Sequence, residues 1–117
     1  MKSLPEVKRQ IENDETHWAV YLMDFVDDFR HYRDAQTLDA PFALDNRQLD
    51  ALLASTAEHL CDELALTPPA WLETVPPCQT PYFVSGVESL KSFTLAQSPA
   101  RFRIRKIFVL ENFLSRV

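Results

Sequence analysis

Glycine is nearly missing from this chain: Gly86 stands alone among 117 residues. Tight β-hairpins draw on Asn-Gly and Asp-Gly turns, and neither pair occurs. A single glycine also rules out the Gly-rich loops that cradle phosphates, which removes P-loop and dinucleotide-binding motifs. Cysteine is scarce, with only Cys61 and Cys78. A secreted disulfide scaffold of this length would carry more, so both are expected to be free thiols. No apolar run is long enough to span a bilayer. The opening "MKSLPEVKRQIENDE" has no apolar stretch behind its lysine and does not read as a secretory signal. A cytoplasmic protein with no membrane segment is the expectation.

What is present argues for a folded helical domain. Apolar residues make up 46% of the chain, too many for a disordered one. One domain over residues 1–117, with a real though small core, suits this length. Leu4, Val7, Ile11, Trp18, Leu22, Phe25, Phe29 and Tyr32 recur at three, four or seven, which keeps them on one helical stripe. Ser3 is placed to cap the start, with Pro5 in the first turn. The stripe survives Asn13-Asp14-Glu15. One helix of about 30 residues or two collinear helices would satisfy it, and the capping character of Asn13 and Asp14 favours a break.

Further along, Asp45 with Gln48 has capping-box spacing, and Leu44 with Leu49 matches a hydrophobic staple. Leu49, Leu52, Leu53, Thr56, Leu60 and Leu64 continue as an inward stripe. The prolines of "LTPPAW" mark a boundary at Thr67, which is placed to cap a short helix from Pro68 to Thr74 that carries Trp71 and Leu72 to the core. "VPPCQTP" reads as a stiff irregular connector. Ser85 with Glu88 repeats the capping pattern ahead of Val87, Leu90 and Phe93. Ser98-Pro99 reads as one more cap and first turn, for a helix that gives out near Ile107. "ENFLSRV" makes a last turn or two. The fold class expected is all-α, a compact bundle of four to six helices with a Pro-rich irregular connector.

Candidate chemistry is thin. Asp14-x-x-His17 and Asp28-x-x-His31 each set a carboxylate and an imidazole on one helical face. On a continuous helix they lie about 21 Å apart at 1.5 Å per residue, too far to share a metal with bonds near 2 Å. His59 and Cys61 point about 200° apart on a helix and cannot act as base and nucleophile together. Cys78 has no evident cation to lower its pKa. No catalytic residue, metal ligand or cofactor is assigned. A small metal-dependent or hydrolytic enzyme is the alternative to a binding module.

The charge distribution is uneven. Residues 1–100 carry seven Lys/Arg against sixteen Asp/Glu, and residues 101–117 carry five against Glu111 alone. The excess sits in "SPARFRIRKIFV", where Arg101, Arg103, Arg105 and Lys106 interleave with Phe102, Ile104, Ile107 and Phe108. Three readings fit: scaffold whose cations answer acids of the body, a docking strip for an acidic protein, or a nucleic-acid site. An acidic body repels phosphate backbones, whose neutralisation supplies most nucleic-acid affinity, so nucleic acid ranks last. These four residues are the candidate partner-binding set, because arginine suits interface pairs with carboxylates.

The C-terminal third resembles a pattern in uncharacterised bacterial proteins. The matching pieces are Pro69-Ala70-Trp71, Phe83-Val84, Ser98 to Arg103 and Ile107 to Val117. The resemblance implies an antitoxin-like or regulatory companion of a partner protein, although the N-terminal helix-turn-helix that some similar proteins carry is not evident here. A homodimer is also expected, because a helix of about 45 Å at 1.5 Å per residue outreaches a compact domain of this size. Val20 and Met23 would then lie uncovered on its far face.

Overall fold

The computed structural model describes residues 1–84, 91–110 and 112–115. Helix α1 spans Leu4–Asn13. It opens on the expected cap: the Ser3 hydroxyl accepts from the Glu6 backbone N–H, and the Glu6 carboxylate accepts from the Ser3 N–H, with proline in the first turn. Leu4, Val7 and Ile11 are buried. The helix ends as Asp14 leaves helical geometry at φ −149°. A 3₁₀ turn, Glu15–His17, then leads into α2, Trp18–Tyr32. Leu22, Phe25, Val26 and Phe29 of α2 are buried, and Arg33 closes it in the left-handed region at φ 53°.

The break does not leave collinear helices. Lys2 and Val7 line one cleft together with Asp24, Phe25 and Asp28, so α1 and α2 fold back on each other. The longest dimension of the molecule is 38 Å. The long unsupported helix behind the homodimer expectation is therefore not formed, and Met23 packs against the core. Val20 remains 53% exposed.

Helix α3, Arg47–Glu63, is the centre of the fold. Ala51, Leu52, Leu53, Ala54, Ala57, Leu60 and Cys61 are all buried, as are Ser55, Thr56 and Glu58. A helix buried almost all round lies inside its domain rather than on its surface, and its small residues let neighbours approach closely. Its start differs from the expectation. Asn46 rather than Asp45 holds the cap position, and the Asn46 N–H donates to Asp50 Oδ2 at 3.0 Å. Asp45 is taken by an ion pair with Lys8 instead. Leu44 is 54% exposed, so no staple forms.

Thr67 does not cap the following segment. Pro69 precedes a 3₁₀ turn, Ala70–Thr74, in which Leu72 is buried and the Trp71 indole donates to the Leu38 carbonyl at 2.7 Å. The proline-rich connector is anchored by buried Val75 and Cys78. It leads to β1, Tyr82–Phe83, which pairs in parallel with β2, Ile107–Phe108; Tyr82 lies opposite Ile107 and Phe83 opposite Phe108. The fold is thus mostly helical with a two-stranded sheet, not purely α. Aromatic and β-branched residues at 82–83 and 107–109 favour extended backbone. The parallel crossover that such strands require contains α4, Lys91–Gln97, and the single-turn α5, Ala100–Arg103. The expected cap of Ser85 with Glu88, and Val87, Leu90 and the Phe93 side chain, lie outside the described residues.

Ser98 is not a helix cap either. It is buried, its hydroxyl accepts from the Val109 N–H at 2.8 Å and donates to the Thr94 carbonyl, and so it ties the end of α4 to the residue after β2. The helix after it stops at Arg103 rather than near Ile107. The chain turns through Ile104–Lys106, with Lys106 at φ 62°, and enters β2. Residues 112–114 form a last turn. Among the described residues, no helix is long and apolar enough to cross a membrane.

Candidate functional site

The basic strip divides into cations that face inward and cations that face outward. Arg105 is 5% exposed, and its guanidinium bonds Glu58 on α3. It also donates to the Leu72 carbonyl at 2.8 Å, to the Val75 carbonyl at 3.3 Å and to the Ser55 hydroxyl at 3.4 Å. The Arg105 backbone adds one more tie, its carbonyl accepting from the Cys78 N–H at 2.9 Å. Arg101 grips Asp62 with two nitrogens, at 2.8 and 3.0 Å, and reaches Glu58 at 3.4 Å. These bonds raise Arg101 above its ordinary pKa against the opposing effect of burial, and they hold the Asp62 carboxyl below its own.

Arg103 is exposed, and one of its nitrogens donates to the Ser98 carbonyl at 2.8 Å. Lys106 is exposed as well. Between them Ile104 is 65% exposed, the most open of the large apolar side chains among the described residues. Of the four residues expected to bind a partner, two are therefore committed to acids of α3, and Arg103 and Lys106 face solvent.

Glu58 is the residue that sequence reasoning missed. Asp50, Glu58 and Asp62 are spaced by eight and four, so they share one side of α3. Arg101 and Arg105 meet the C-terminal part of that row, and Lys8 of α1 meets the N-terminal part. Lys8 is 4% exposed, lies 2.8 Å from Asp50 and bonds Asp45. Burial works to lower its pKa, yet the two carboxylates outweigh burial and raise it. Asp50 Oδ1 faces the ammonium, while its Oδ2 accepts from the Asn46 N–H. From α2, Arg30 forks onto Glu63 at 2.8 and 2.9 Å and donates to the Leu114 carbonyl at 2.6 Å. Helix α3 thus receives cations from α1, α2 and the C-terminal strip. Lys8 was detectable: it follows Leu4 by four and precedes Ile11 by three, on the apolar face of α1.

Nucleophilic chemistry finds little here. Burial pushes the Cys61 thiol up to about 11 and raises that of Cys78, so neither thiolate is available near neutral pH. His59 is lowered by burial and packs its ring 5.8 Å from that of Phe102. His17 lies 3.0 Å from Asp14, whose carboxylate also accepts from the Tyr21 hydroxyl at 2.6 Å. His31 stacks edge-on with Tyr32. Among the described residues, no three His, Cys, Asp or Glu side chains converge as a metal site.

Comparison of the chain with protein-family models, with curated proteins and with solved structures finds no match.

Proposed function

We propose that this protein is a non-catalytic interaction module, an antitoxin-like or regulatory companion of a partner protein, and that it docks through Arg103, Ile104 and Lys106. The observation that carries this reading is Ile104, a β-branched residue left 65% exposed between two exposed cations. It is presented on a rigid turn, because Arg105 and Arg101 are bonded to α3 on either side of it. A side chain preorganised in this way loses little freedom on binding. The left-handed Lys106, at φ 62°, is the kind of backbone cost that persists where the surroundings fix a functional shape. The complementary partner surface is an apolar socket rimmed by carboxylates. Arg101 and Arg105 act as positioning residues beneath the site.

Nucleic acid fits this surface poorly. With two of four cations answered internally, few remain to neutralise phosphates on a chain of net charge −5. A second copy of the chain is the other occupant the sequence suggests, and of Val20 and Met23, which carried that expectation, Val20 alone is exposed.

A photo-crosslinking amino acid at position 104, introduced in the native cell, tests the reading. The expected result is one adduct with a different protein, lost when Arg103 and Lys106 are both replaced by Glu. An adduct at twice the 13.5 kDa chain mass would assign the face to a homodimer. No adduct, or the same adducts from a crosslinker at Val20, would contradict the proposal.

A further inference from the structure

A second feature lies away from the basic turn. A cleft of about 220 Å³ opens where the end of α1, the 3₁₀ turn after it, the first turns of α2 and α3, and β1 converge. Buried Ile11 and Leu52 belong to its lining, together with half-buried Trp18, Leu49 and Tyr82. Glu15 is the only charged side chain among the described lining residues. The volume is below the roughly 300–1,000 Å³ of clefts that take drug-sized ligands, so an occupant must be small.

We infer that this cleft binds an organic ammonium group, held against Trp18 and Tyr82 and neutralised by Glu15. Three features point the same way. Aromatic faces attract cations, tryptophan most strongly. Ile11, Leu49 and Leu52 suit the methyl or methylene groups of an alkylated ammonium, and the amides of Asn46 and Gln48 complete the lining without adding charge. The lone carboxylate, on a chain that is acidic overall, selects a cation over a neutral or anionic ligand of the same shape. The walls are preformed: Tyr82 is held in the parallel strand pair by its N–H to the Lys106 carbonyl at 2.8 Å, and Trp18 is the first residue of α2. Burial raises the Tyr82 hydroxyl pKa, so the ring stays a neutral phenol at ordinary pH. The ammonium can be that of a free small amine or of an alkylated lysine side chain on another protein.

The two indole N–H signals of the intact protein report on this directly by NMR. Trp71 is the internal control, since its indole is bonded to the Leu38 carbonyl on another part of the fold. Choline, its uncharged carbon isostere with tert-butyl in place of trimethylammonium, and a short peptide carrying trimethyllysine are titrated in turn. Saturable movement of the Trp18 signal, with Trp71 still, is expected for choline, for the peptide, or for both. The pattern distinguishes a free amine from a side chain. The isostere is expected to bind at least about fivefold more weakly, and Glu15→Gln to weaken the cation to a similar degree. Glu15 is exposed, so that variant should fold normally. Failure of both cations to move Trp18 at millimolar concentration, equal binding of the isostere, or unchanged binding by Glu15→Gln would each overturn the inference. None of these results bears on the docking face at Ile104.

Discussion

Arg105 and Glu58 are 47 residues apart in the chain and form an ion pair with almost no solvent access, their side chains 6% and 2% exposed. The pair fastens the C-terminal turn to the middle of α3. It is well satisfied, because three of the other four guanidinium hydrogens reach the Leu72 and Val75 carbonyls and the Ser55 hydroxyl. Desolvating two charges is expensive, and such extensive bonding offsets it. The energetics are therefore asymmetric: the intact pair contributes modestly, while half of it alone is strongly destabilising.

Replacing Arg105 by Gln is accordingly expected to cost about 3 kcal/mol, since buried Glu58 then keeps only the longer 3.4 Å contact with Arg101. Replacing Arg103 by Gln should cost under about 1 kcal/mol, because an exposed cation contributes little. Urea unfolding of the two variants gives both numbers. Equal losses would mean that the division into inward and outward cations is wrong.

Lys8 predicts an alkaline limb. Its folded pKa is raised above the ordinary 10.5, so its stabilising contribution is complete below that value. The contribution is lost as pH rises through the folded pKa. Tyr21 and Tyr82 are also raised; a raised phenol favours the neutral form, so their contributions are likewise lost at alkaline pH. The Lys8→Met variant is expected to be less stable at neutral pH, by leaving Asp50 unpaired, yet to lose less on going to high pH than wild type. Parallel stability curves for the two proteins would contradict the assignment. On the acid side, Asp62 and Glu63 are lowered by their arginine bonds. Their contributions are present above about pH 4 and fade as pH falls through the lowered values.

The Cys61 thiol, buried and pushed up to about 11, is expected to resist a water-soluble disulfide reagent in the folded protein near pH 8. It should react promptly once the chain is unfolded in denaturant. Labelling by mass spectrometry separates Cys61 from Cys78. Immediate reaction of the native Cys61 would show an accessible, reactive thiol where the fold places a packed one.

Nucleic acid supplies a further test of the strip. At low salt the wild-type protein is expected to leave duplex DNA and RNA unretarded. Nanomolar binding that weakens steeply as salt rises would assign Arg103 and Lys106 to phosphate contacts instead.

Much of the helical frame was legible because apolar periodicity is a local signal. Leu4, Val7, Ile11, Leu22, Phe25 and Phe29 are buried where their spacing put them, and Ser3 caps where its chemistry suggested. The misses came from long-range competition. Asp45 has capping chemistry, but Lys8, 37 residues earlier, takes its carboxylate. Ser98 has the same chemistry, and Val109 takes its hydroxyl. The sheet escaped notice because two residues per strand are too few to show an alternation, and their pairing joins positions 25 residues apart. In the strip, charge alone did not separate Arg105 from Arg103. That difference depends on where α5 ends and on Glu58, a buried acid in the second half of α3.

The central claim is that the basic strip is first a clamp on α3 and only at its outer face a docking surface. A double-mutant cycle between Arg105→Met and Glu58→Gln, read by urea unfolding, tests this most directly, because it isolates the coupling of the pair from the cost of each change. The fold predicts a coupling of about 2 kcal/mol or more, with the double variant more stable than the sum of the single losses allows. Losses that simply add would show Arg105 unpaired with Glu58 and free to serve a ligand, and the clamp would be refuted.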